Sequence, residues 1–285
     1  MNRVSLCDFP AERFLRRSVI VLSALIVIAA TGPAHAATFN VNSTADAVDA
    51  NPTVANPACE TAPGNGVCTL RAAIQQANAL GGAHTINLPA GNYLLTRSGN
   101  DDNAINGDLD ITGTLTLNGA GAGSTIIDGN SIDRVFHVLV GATVTMSGVT
   151  IRGGNLSGAD GGGIWNESNL TLSGVTLSNN VARDGGAIFS QNTSNSVTLS
   201  NVVLSGNTAS RDGGAIGMKD TGATLSFTDV TMTGNTAVAR GGGYFGDRAS
   251  GPMTRVTVSG NSAQDGGGLA MTNSLANVTL TDVTV

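Results

Sequence analysis

An eight-residue phrase recurs six times in the second half of the chain, and no other feature constrains the fold as tightly. It reads VTMSGVTI at 144–151, LTLSGVTL at 170–177, VTLSNVVL at 197–204, LSFTDVTM at 225–232, GPMTRVTV at 251–258 and VTLTDVTV at 278–285. Successive starts lie 26, 27, 28, 26 and 27 residues apart. A second phrase returns between them: GGGIW at 161–165, GGAIF at 185–189, GGAIG at 213–217, GGGYF at 241–245 and GGGLA at 266–270. A fixed period of this length marks a repeat architecture in which each unit packs only on its neighbours.

Within each eight-mer, apolar and small polar residues alternate, with a pause at the centre. Period two in Val, Leu, Ile and Thr is strand patterning. The Gly-Gly pairs mark turns, where positive φ is cheap. Each coil therefore holds two or three short strands and has no room for a helix. A period near 27 also overlaps leucine-rich repeats, but their leucine and asparagine framework is missing here. The remaining solution is all-β: a parallel β-solenoid whose coils stack roughly 4.8 Å apart.

Stacking predicts columns of like residues. Asn180, Asn207, Asn235 and Asn261 each fall three places past the last apolar residue of an eight-mer, and Asn130 does the same after Ile127. In the 144–151 coil that place is Gly154. Such a column at a solenoid corner predicts a ladder of side-chain amides linking coil to coil. The alternative is that each Asn serves only its own turn. An apolar column is expected along Val135, Ile164, Ile188, Ile216, Tyr244 and Leu269. Residues 115–130 read as an earlier coil, with AGAGS inserted at 120–124.

Composition narrows the functional classes. Charged residues are only 12% of the chain, too few for a coiled coil. The net charge is −6 and Lys219 is the only lysine, which argues against a nucleic-acid partner. Mean hydropathy of +0.12 argues against disorder.

The first 36 residues read as an address. Arg3, Arg13, Arg16 and Arg17 precede an apolar run at 19–30, followed by Pro33 and Ala34-His35-Ala36. This is the pattern of a secretory signal peptide, and the apolar run is short for a membrane span. Arg16-Arg17 partly matches the twin-arginine pattern, but the strong hydrophobicity favours the general secretory route. Cleavage after Ala36 would leave 249 residues, no transmembrane segment and a net charge of −8. It would also remove Cys7, leaving Cys59 and Cys68. In an exported protein these read as one short disulfide worth roughly 2.5 kcal/mol.

Residues 37–110 are expected to close the N-terminal end of the solenoid, which occupies 111–285. Leu70, Ala73, Ile74 and Ala77 share one face at helical spacing, with Thr69 as N-cap and Gly81-Gly82 as terminator. Cys68-Thr69-Leu70-Arg71-Ala72-Ala73 resembles the signature of bacterial CSLREA-domain proteins, as do IQQANAL, TINLPAGNY and GDLDIT after it. The later GGxI and Asn phrases are similar to the repeats of polymorphic outer-membrane and other right-handed parallel β-helix proteins. Thr69 stands where the signature has Ser, and Ala72 where it has Glu, which removes the acidic arm of a capping box. The resemblance implies a pectin-lyase-like right-handed β-helix, exported or at the bacterial surface. It carries over no catalytic residue.

Three groups are candidates for chemistry. Asp101, Asp102, Asp108 and Asp110, with nearby Asn103 and Asn106, concentrate oxygen ligands that suit Ca²⁺, and no other cofactor is expected. Asp160, Asp184, Asp212 and Asp265 precede the Gly-Gly turns, where a cation would relieve carboxylates stacked coil upon coil. In both groups the simpler reading is that each Asp serves its own turn, in the second beside Arg183 and Arg211, with Arg240 in the column place of the remaining coil. Phe136, Trp165, Phe189 and Phe245 follow the apolar column. They either form an outward stripe that stacks on sugar rings or pack beneath other groups.

These readings favour a non-catalytic exported module for adhesion or carbohydrate binding, with a polysaccharide or cell-surface glycan as partner. The alternative is a lyase or glycoside hydrolase acting on an acidic polysaccharide, since β-helices carry both kinds of function. The mature chain is poor in the Glu, His and Lys that such catalysis uses. The chain ends at Val285, within a repeat, so a truncated product or end-to-end self-association is expected.

Overall fold

The computed structural model describes residues 36–99, 101–191, 195–219, 222–273 and 277–285. The expected signal peptide lies outside these, apart from Ala36.

The repeat folds as a parallel β-solenoid. Among the described residues every strand-to-strand register is parallel, in sheets of fourteen, four and seven strands. The eight-mers build the largest sheet. Its paired positions include Leu117, Met146, Leu172, Leu199, Phe227 and Met253, all buried. Ile127, Ile151, Leu177, Leu204, Met232 and Val258 form a second buried column on the same sheet. The seven-stranded sheet supplies the third: Leu109, Phe136, Ile164, Ile188, Ile216 and Tyr244, continuing to the half-buried Leu269. Three columns per coil fill the interior, so the core is a stack of layers.

The apolar column therefore runs through Phe136, not through the expected Val135. Val135 sits one place earlier, opposite Gly163. Its N–H bonds to Gly162 O while that of Phe136 bonds to Gly163 O. Both are buried apolar residues, so hydrophobicity alone could not choose between the two registers.

The pause at the centre of each eight-mer is a corner. Gly148, Gly174, Asn201, Asp229, Arg255 and Asp282, the fifth residue of each, all have φ between 51° and 62°. Asn and Asp tolerate the left-handed region better than other side chains do. The Gly-Gly phrase works differently at its two positions. Gly213 has φ +68°, whereas a Cβ on Gly214 would lie 2.3 Å from Gly242 O on the next coil. The first glycine allows the turn, and the second lets successive coils approach.

A short helix, Leu70–Leu80, covers the N-terminal end. Thr69 caps it through a 3.1 Å bond from Ala72 N, and Leu70, Ala73, Ile74 and Ala77 are buried. Arg71, also buried, pairs with Asp46 at 2.5 Å and donates to the carbonyls of Ala104, Gly107 and Asp108. The helix thus ties down the loop that leads into the first strand of the seven-stranded sheet. Cys59 and Cys68 form a disulfide beside the helix start.

Candidate functional site

One corner of the solenoid carries an amide ladder. Asn180 Nδ2 donates to Asn207 Oδ1 at 3.0 Å, Asn207 Nδ2 to Asn235 Oδ1 at 2.9 Å, and Asn235 Nδ2 to Asn261 Oδ1 at 2.9 Å. Each accepting oxygen also takes the backbone N–H of the preceding Asn. Each amide nitrogen donates in addition to a strand carbonyl: Ile151, Leu177, Leu204 or Met232.

Asn130 is not a rung. It is exposed, has φ +54°, and its N–H bonds to Asp128 Oδ1. The ladder stops at Gly154, whose N–H donates to Asn180 Oδ1. A side chain there would strike Gly162 O, only 1.8 Å from a Cβ, so nothing can pass the ladder on to Asn130.

The outer row of the seven-stranded sheet holds the candidate site. Next to the inward column, the register aligns Asp110, His137, Trp165, Phe189, Gly217, Phe245 and Ala270. The aromatics in this row do not form an open stacking surface. Phe189 and Phe245 are closed to solvent, and Phe136 belongs to the inward column. Trp165 is half-buried, with His137 stacked on it at 4.3 Å and the Arg134 guanidinium at 4.5 Å from its ring centre. Arg240 lies 4.3 Å and Lys219 5.4 Å from the centre of Phe245. Cations cover this row.

Arg240 and Lys219 belong to an ionic ladder. Arg183 grips Asp160 through Nε at 2.9 Å and Nη2 at 2.7 Å. Arg211 grips Asp184 in the same way, and Arg240 grips Asp212 at 2.9 and 2.8 Å. Lys219 bridges Asp184 and Asp212 at 2.8 and 2.9 Å. Asp160, Asp184 and Asp212 are thus each neutralised by an Arg from the next coil, where a bound cation or a purely local turn was expected, while Asp265 at the end of the column is exposed. Arg240 takes the column place of an Asp, its backbone bridging to Asp212 and Asp265. Burial pushes the Asp184 and Asp212 carboxyls up, but the bonds from Arg211, Arg240 and Lys219 outweigh it and hold both below the ordinary range. A cavity of about 250 Å³ opens beside this ladder, lined by Arg134, Ala159, Asp160, Trp165, Arg183 and Gln191. Trp165 Nε1 has no acceptor among the described residues.

The four aspartates proposed for calcium do not converge. Asp101 accepts the backbone N–H groups of Asn103, Ile105 and Asn106 and so braces its own loop. Asp108 lies 3.0 Å from Arg134. Burial and the neighbouring Asp110 push its carboxyl up to about 7, beyond what Arg134 offsets. Asp102 and Asp110 meet His137 instead, their ligand atoms all within 4.8 Å of one another. His137 Nε2 lies 3.2 Å from Glu167 Oε2 on the following coil. Burial alone would favour the neutral ring, but the carboxylates of Asp110 and Glu167 outweigh it and raise the His137 pKa. His137, Glu167, Arg134 and Lys219 were not singled out from the sequence. Aligning the seven coils places His137 directly below Trp165, which is the one signal that would have found it.

Among the described residues, no helix is long and apolar enough to cross a membrane. Residues 174–196 and 201–218 match the Chlamydia polymorphic membrane protein repeat. No curated protein and no solved structure shows significant similarity to the chain.

Proposed function

We propose that this chain is an exported bacterial β-helix that serves as a cell-surface or extracellular binding module for acidic polysaccharide. The observation that carries this reading is the row of paired cations beside the seven-stranded sheet. There Arg183, Arg211, Arg240 and Lys219 face three carboxylates in a chain whose net charge is −6. Each guanidinium uses two N–H groups on its aspartate and keeps three for a ligand. The cavity between Arg134, Trp165 and Arg183 offers a pocket for one sugar unit. The repeat match to a polymorphic membrane protein supports placement at the bacterial surface.

The His137 cluster favours a second reading, a lyase or hydrolase on the same class of polymer. A glycan array run alongside a uronate-release assay separates the two. The binding reading expects salt-sensitive retention of uronate-bearing glycans without product, and a loss of about ten-fold in Arg183→Gln. Product release would replace it with the enzyme reading. Silence in both assays would leave a structural spacer.

A further inference from the structure

We propose that Asp102, Asp110 and His137 form a site for a first-row divalent transition ion, with Zn²⁺ the best fit. His137 Nδ1 lies 3.3 Å from Asp110 Oδ1 and 3.9 Å from Asp102 Oδ1. Two ligands about 2.1 Å from one tetrahedral ion are roughly 3.4 Å apart, so this spacing suits a shared ion. Asp102 is 77% exposed and free to close the longer distance.

The second observation concerns Asp110 itself. Its side chain is fully buried and Oδ1 accepts no well-formed hydrogen bond among the described residues, although the His137 ring stands 3.3 Å from it. Oδ2 is engaged, accepting Ala104 N at 2.8 Å, so the carboxylate is fixed with Oδ1 facing the imidazole. A buried carboxylate oxygen without a donor is costly unless a ligand reaches it. The other ring nitrogen of His137 faces Glu167 Oε2 at 3.2 Å. With the Nε2 proton shared with that carboxylate, an ion that displaces the proton from Nδ1 meets a lone pair pointing at Asp110 and Asp102. A metal-bound histidine is commonly oriented by such an outer carboxylate. Asp102 also lines a cavity of about 470 Å³ with Gln75, Asn78 and Ile105, which gives an ion a path from solvent.

The imidazole decides the class of ion. Calcium takes six to eight oxygens, whereas two carboxylates and one imidazole suit zinc and its neighbours. Three protein ligands leave a position open for water. Arg134 is the nearby cation that opposes binding, and it is engaged by Asp108 at 3.0 Å. The inference does not depend on glycan binding.

The test uses the purified chain cleared of metal with a chelator and titrated with Zn²⁺ alone, then with Ca²⁺ alone. One equivalent of Zn²⁺ is expected to bind and to shift the Nδ1 resonance of His137 in ¹⁵N spectra, leaving His84 unmoved. Calcium should leave both unchanged. Asp110→Asn and His137→Gln should each weaken binding by about 100-fold, and Glu167→Gln by about 10-fold. Asp265→Asn, an exposed carboxylate on a distant coil, should bind as the parent does. Zinc binding that leaves the His137 resonance unmoved, or no binding at all, would overturn the site. So would a preference for Ca²⁺. The spectral readout needs no variant, so a misfolded substitution cannot obscure the result.

Discussion

Two ladders run along this solenoid, and they meet the same stacking requirement with different chemistry. At the corner, Asn180, Asn207, Asn235 and Asn261 are neutral, and the first three are fully buried. On the seven-stranded face, Asp160, Asp184 and Asp212 are joined to arginines whose side chains are 38–50% exposed. Identical amides can bond to one another because each carries both donor and acceptor. Identical carboxylates cannot, so the ionic ladder must alternate residue types. The neutral ladder therefore has nothing left to offer a ligand, while the ionic one keeps guanidinium N–H groups facing outward.

The largest expected effect is in the neutral ladder. Asn207→Ala removes bonds to Asn180, Asn235 and the Leu177 carbonyl at once, leaving several buried groups without partners. Unmet buried groups cost about 1–3 kcal/mol each, so a loss of about 4 kcal/mol is expected in urea unfolding. A loss below 1 kcal/mol would mean that the ladder relaxes around the gap and that Asn there is only a turn former.

Asp184→Asn is expected to cost less, about 2 kcal/mol, because its partners Arg211 and Lys219 retain solvent or Asp212. Its signature is in pH. Asp184 and Asp212 bind protons less tightly in the folded chain than the ordinary value of 3.8. Their contribution is therefore complete above that value and disappears as the pH falls below it, through the lowered native pKa. Stability measured between pH 6 and pH 2.5 should fall less steeply in Asp184→Asn than in the parent, while Asn207→Ala should keep the parent's slope. Equal slopes in all three proteins would show that the ionic ladder contributes nothing to acid sensitivity.

The two ladders also differ in how legible they were. The asparagine corner could be read because each rung repeats the residue type at one register, and the chain bonds to itself at that spacing. Asn130 misled because it shares the sequence offset while the intervening coil has Gly154, packed against Gly162 O, in place of a rung. The aspartates of the ionic face and the arginines near them were visible, but their pairing from one coil to the next was not. Arg183 and Arg211 sit beside the column, Arg240 within it, and Lys219 on a separate strand. The His137 cluster was less legible still. It draws Asp102 from a loop and Glu167 from beside the aligned row, so the repeat relates only Asp110 and His137 among its members. Departures from the repeat are where the chemistry collects, because residues that repeat are already committed to stacking.

The smallest stability effect should accompany the largest change in binding. Arg183 is 46% exposed and holds Asp160 at the edge of the 250 Å³ cavity. Exposed pairs contribute about 1 kcal/mol or less, so Arg183→Gln should unfold close to the parent, and added salt should narrow the difference. Its Asn207 counterpart should show the reverse, a large loss of stability with retention on acidic glycans unchanged at temperatures where it stays folded. If Arg183→Gln keeps full retention, the guanidinium row is only the ionic equivalent of the asparagine corner. The face would then be a second structural seam, since its positive groups would have no task beyond holding Asp160, Asp184 and Asp212 in register.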